Sequence, residues 1–76
     1  MENFYNKIST LLFNEFGPNA VLGIKEHPTC FVIACHKLAK AKQSTPIKEA
    51  NAMNDFLVKQ GVDTKQSQGF VIVSKI

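Results

Sequence analysis

The apolar residues of this chain fall into distinct patterns, each predicting a different kind of element. From residue 2 to residue 16, Phe4, Tyr5, Ile8, Leu11, Leu12 and Phe16 recur at the spacing of one helical face. Asn3, Asn6, Lys7, Thr10 and Asn14 lie opposite, so an amphipathic helix is expected. Gly17 and Pro18 close it, because glycine takes the left-handed cap and proline cannot continue the helix. Two residues break the pattern: Glu15 falls inside the apolar stripe and Phe13 well outside it. Residues 20 to 26 then loosen into a short strand with Leu22 and Ile24 on one face. Gly23 within it predicts a bulge or a close backbone approach.

The run from Thr29 to His36 is apolar on both parities, with Phe31, Ile33 and Cys35 on one side and Cys30, Val32 and Ala34 on the other. Side chains alternate faces along a strand, so this run reads as a strand covered on both faces. His27-Pro28 before it is a turn, and the connection is too short for anything but a hairpin. Lys37 to Thr45 reads as a basic loop, or as one helical turn followed by a loop. Thr45-Pro46 starts a second helix, a capping residue followed by proline at the first helical position. That helix runs to about Gln60, with Ile47, Ala50, Met53, Leu57 and Val58 as its stripe and Gly61 as its stop. Asn54 lies inside the stripe, and Phe56 falls on the polar side with Lys48, Glu49 and Lys59. Val62 to Gly69 reads as a polar loop, and Phe70 to Lys75 as the last strand.

The predicted fold is therefore α+β, a single domain over residues 1–76 in the order α-β-β-α-β. A strand–helix–strand connection is almost always a right-handed crossover between parallel strands. With the hairpin, this predicts two layers: a small mixed three-stranded sheet and two helices. If both helices take one face, the other shows half of the central strand's apolar residues. Such a surface is expected to be covered by a second copy, forming a homodimer, or by a partner. The alternative puts one helix on each face and leaves nothing open.

Charge and cysteine content narrow the function classes. Nine lysines against six acids give a net charge of +3, and no arginine is present. Lysine serves as a point charge for phosphates or acidic surfaces, without the planar fork that reads guanine or carboxylates at two points. On one strand, Cys30 and Cys35 would stand roughly 16 Å apart, far beyond the ~7 Å a disulfide tolerates. Unpaired thiols fit a reducing compartment, and with neither a leader-like nor a membrane-spanning stretch the expected location is the cytoplasm.

No stretch carries a specific chemical signature. His27, Cys30, Cys35 and His36 are four potential metal ligands within ten residues. Cys30 and His36 nevertheless stand ~20 Å apart on a strand, too far for one zinc tetrahedron with bonds of ~2.1–2.3 Å. Neighbouring Cys35 and His36 point to opposite faces, which argues against a cysteine–histidine nucleophile. Neither enzyme activity nor a cofactor or metal is expected. What stands out is Lys37, Lys40, Lys42 and Lys48, the densest positive charge, together with the off-stripe aromatics Phe13 and Phe56. Lysine clusters contact phosphates or acidic protein surfaces, and exposed aromatics are typical anchors of interfaces. The reading with solvated lysines and a wider core stands beside both.

The element order resembles that of bacterial-type K-homology domains, which implies single-stranded RNA binding. Their glycine-containing loop would fall at Gln43-Ser44-Thr45-Pro46, where there is no glycine. The order is also similar to a ferredoxin-like domain without its first strand. The arginine-free, lysine- and asparagine-rich composition suggests an AT-rich coding sequence. A short cytosolic chain without catalytic residues resembles small phage or mobile-element proteins that block a host complex by binding it. The expectation is thus a non-enzymatic protein-binding module, an inhibitor or adaptor using Phe13, Phe56 and the lysines. Its alternative is a nucleic-acid-binding module using Lys37, Lys40, Lys42, Lys48 and Lys65.

Overall fold

In a computed structural model, which describes residues 4–75, the first helix, α1, spans Phe4–Phe16. Residues 2 and 3, where that helix was expected to begin, lie outside the described residues. Gly17 closes α1 with a φ of 87° while its N–H donates to the Phe13 carbonyl at 2.9 Å. A short 3-10 turn, Pro18–Ala20, follows. The first strand, β1, covers only Ile24–Glu26, shorter than the expected span from residue 20. Gly23 just before it makes the close approach its composition suggested: a Cβ there would stand 2.5 Å from the Ala34 carbonyl oxygen. The strand β2 is Cys30–Ala34, and β1 pairs with it antiparallel from Ile24 opposite Ile33 to Glu26 opposite Phe31.

The stretch left between loop and helix is a helix. α2 spans His36–Ala41 and buries Leu38 and Ala39, which is what a loop would have failed to do. Gln43 adopts a φ of 54° and the Ser44 N–H reaches back to the Ala39 carbonyl at 2.8 Å, a left-handed cap of the Schellman kind. α3 spans Pro46–Lys59, with the Thr45 hydroxyl accepting from the Lys48 N–H at 3.2 Å as its N-cap. Among the described residues the α-helices are therefore three rather than two.

The sheet corrects the expectation of three mixed strands. Among the described residues it has four strands in the order β1-β2-β4-β3, every neighbouring pair antiparallel. The extra strand is β3, Thr64–Ser67, inside the segment expected to be a loop. It joins β4, Phe70–Ser74, through Gln68 and Gly69, both at positive φ (51° and 86°). Two positive-φ residues between paired strands make the type I′ hairpin turn that matches strand twist. Gln-Gly is a weak version of that signal, and Thr-Lys-Gln-Ser carries no apolar alternation, so the strand left no pattern to read. The two strands expected to run parallel, β2 and β4, are antiparallel neighbours; the helices instead connect β2 to β3, which runs parallel to it with β4 lying between them.

All three helices share one side. Phe31, Ile33 and Cys35 from β2 and its end, with Val71 and Val73 from β4, are buried beneath Ile8 and Leu12 of α1, Leu38 of α2, and Ala50, Met53 and Leu57 of α3. Phe4 and Tyr5 lay their rings 5.7 and 5.6 Å from that of Phe31. The α+β, two-layer arrangement is thus present, with one sheet face left without helices.

Candidate partner-binding surface

Strand alternation and register define the open face. Because Phe31, Ile33, Val71 and Val73 point into the core, Cys30, Val32 and Ala34 of β2 and Phe70, Ile72 and Ser74 of β4 point away from it. One cross-strand row reads Lys25, Val32, Ile72, Lys65 from edge to edge: two aliphatic side chains at the centre and a lysine on each border. The next row pairs Ala34 with Phe70 and Phe70 with Ser67. Phe70 is exposed and meets the His36 ring at 5.4 Å, centroid to centroid. At the opposite end, Thr29, Cys30, Asp63, Lys65, Ile72 and Ser74 line a concavity of about 280 Å³. Cys30 and Cys35 are both free thiols, Cys30 half-buried on the open face and Cys35 fully buried on the core side.

The expected site residues scatter around the molecule. Phe13 is 52% exposed on α1, over a concavity of about 270 Å³ that Ser9, Thr10, Asn14 and Val21 also line. Phe56 is not an exposed anchor: it is half-buried, packed on the core and edge-on to Phe16. α3 is rotated relative to the expected stripe, with Ile47 and Val58 55% and 54% exposed while Glu49 is buried. The physical reason is that α3 meets two neighbours, the sheet through Ala50, Met53 and Leu57, and α2 with the end of α1 through Glu49 and Phe56. Glu15, placed in the α1 stripe by its spacing, is exposed.

Lys37 and Lys40 are exposed along α2. Lys42 and Lys48 border one concavity with Gln43, Ser44 and Thr45, at the corner between α2 and α3. Lys42 is already engaged, its Nζ 2.7 Å from Glu49 Oε1 and 6.0 Å from the centre of the Phe16 ring. The Lys42 hydrogen bond, helped by Ser44 and the charge of Lys48, holds the Glu49 carboxyl below its ordinary range against the opposing effect of burial. Burial, and then the nearby Glu49 charge, push the Cys35 thiol up to about 11. The lysine cluster is therefore part ion pair and part free charge.

Among the described residues, no three His, Cys, Asp or Glu side chains gather where they could hold a metal, and no helix is long and apolar enough to cross a membrane. Lys25, a candidate at the border of the open face, does not stand out in the sequence; the signal is its alternation with Ile24 in a strand where it pairs with Val32. Compared with protein-family models, curated proteins and solved structures, the chain matches none. The element order that resembles K-homology domains lacks β3, which the chain adds between α3 and β4.

Proposed function

We propose that this chain is a non-enzymatic protein-binding module, an inhibitor or adaptor, that docks a partner on its open sheet face. The partner surface has an apolar centre bordered by carboxylates. The observation that carries this reading is the Lys25–Val32–Ile72–Lys65 row. Half-buried aliphatic side chains at the middle of a sheet face, with Ala34 and the exposed Phe70 beside them, are an apolar grouping of the kind that marks contact sites. Lysines at both borders select partners of opposite charge and speed encounter with them.

Val32→Asp separates this reading from its rivals. Because Val32 points away from the core, an aspartate there reaches water and the variant folds. Cross-linking in lysate at native concentration is expected to give a discrete adduct with the original chain and none with Val32→Asp, while the circular dichroism of the two proteins agrees. An adduct that survives Val32→Asp but disappears when Lys37, Lys40 and Lys48 are all changed to Gln overturns the reading. Nucleic acid in that adduct would favour the alternative, phosphate contact along α2.

A further inference from the structure

Resting on that reading of the face, we infer that its occupant is an acidic amphipathic α-helix of another protein, lying along β2 and β4 between Lys25 and Lys65. Width is the first argument. Lys25 and Lys65 sit on the outermost strands of a four-stranded sheet, so three strand spacings separate their backbones, roughly 14 Å. A helix with its side chains is about 10–12 Å across, which fills the space over the two central strands and leaves each lysine at its flank. Length is the second. β2 and β4 have five residues each, about 17 Å of strand, which accommodates roughly three helical turns.

The two lysines also discriminate between kinds of occupant. A sheet as broad as this one would lay its own strands over Lys25 and Lys65 and take both ammonium groups out of water, at a cost that only well-placed carboxylates offset. A helix leaves both in solvent while its flanking glutamates or aspartates reach them. A second copy of this chain fits worse. A twofold axis in the plane of the sheet, along the strands, sets Lys25 of one copy against Lys65 of the other. Perpendicular to the strands, it sets each lysine against its own equivalent. Either way like charges meet at the border of the contact, which is a repulsive element against self-pairing. The face also offers the helix an anchor position, the concavity by Cys30, Ile72 and Ser74. Asp63 and Lys65 both line it, so an uncharged anchor side chain, followed one turn later by a carboxylate that reaches Lys65, satisfies both.

The probes are two synthetic helical peptides of about 18 residues, long enough to hold helix in water. Both carry the same leucine stripe at three- and four-residue spacing. One has glutamates along both borders of the stripe, the other lysines. Titrated into the folded chain with amide resonances observed, the glutamate peptide is expected to shift Lys25, Val32, Lys65 and Ile72 and to bind at least tenfold tighter than the lysine peptide. In the double variant Lys25→Glu, Lys65→Glu, the preference reverses. Equal binding of the two peptides, or shifts confined to α1 or α2, overturns the helix inference. It leaves the face itself to be decided by the Val32→Asp cross-linking experiment. Stronger shifts of the same amides with oligothymidylate, or peptide-free dimerisation that Val32→Asp abolishes, overturn it in favour of nucleic acid or a second copy.

Discussion

Phe16 and Phe56 meet edge to face, their ring centroids 5.6 Å apart and their planes at 89°, at the point where the end of α1 crosses α3. Their contact joins two helices that are distant in sequence, and it makes Phe56 a structural residue. Phe56→Ala removes the ring from a half-buried position, which costs less than the ~3–5 kcal/mol of a fully buried phenylalanine, about 2 kcal/mol. For a chain of this size that lowers Tm by roughly 8–16 °C. Thermal melts check it; an unchanged Tm would put the ring outside the packed layer.

Glu49 and Lys42 predict a pH dependence with a definite sign. The folded state holds the Glu49 carboxyl below its value of 4.5, so the unfolded chain binds a proton there more readily than the folded one. The stabilisation is complete above the unfolded value and fades as pH falls through the folded one. Lys42→Met leaves a buried carboxylate without its partner. Urea melts are expected to show it clearly less stable than the parent at pH 7, with the gap narrowing as the pH is lowered past 4. A gap that is constant with pH would mean the lysine acts only through its methylenes.

The two thiols are expected to react at very different rates. Cys30 is half-buried on the open face, whereas Cys35 is fully buried with its ionisation pushed up to about 11. Since the thiolate is the nucleophile, a thiol reagent at pH 8 modifies one group on the folded protein and the second only in denaturant. Mass spectrometry of the labelled peptide identifies which. Rapid labelling of Cys35 without denaturant would contradict its burial under α3, where its Sγ lies 4.0 Å from the Met53 sulfur.

The turn at Gln68 and Gly69 is improvable at one position and intolerant at the other. Asparagine enters left-handed backbone more readily than glutamine, so Gln68→Asn stabilises by about 0.5 kcal/mol, given the ~1–2 kcal/mol that left-handed geometry costs most residues. Gly69→Ala destabilises, because its φ is 86° and a Cβ there would stand 3.0 Å from that of Pro46. Paired urea titrations of the two variants give opposite shifts in midpoint. Shifts of the same sign would rule out the hairpin geometry.

The sequence disclosed what its local signals govern. Gly17, Thr45-Pro46 and Gly61 mark the helix limits because caps act over a few residues, and the double-parity run around Val32 marks a central strand. The uncovered face was foreseen as one of two arrangements, since the helices could have divided between the faces. β3 escaped because an edge strand of polar residues owes its pairing to β4 rather than to its own composition. Phe56 was misplaced for a related reason. A helical wheel assumes one neighbour, and α3 has two, so the ring that looked stranded on the polar side is what Phe16 packs against. Lys42 shows the same effect in charge: its position in a basic cluster suggested a free cation, but Glu49, one helix away, takes it.

The place of β4 has a consequence for how the protein comes into being. Its five residues occupy the middle of the sheet and pair with β2 on one side and β3 on the other. They are also made after every other element they touch. While the chain is still emerging from the ribosome, β1 and β2 can close as a hairpin, but β2 has its inner edge bare and the helices have only part of a floor. Residues 34 and 70, far apart along the chain, must meet before the four strands form one sheet, and such distant pairing is slow to search for. Assembly is therefore a single late event, and a polypeptide interrupted before residue 70 is left as a hairpin with helices attached, carrying the inner edge of the greasy strand around Val32 into the cell unpaired.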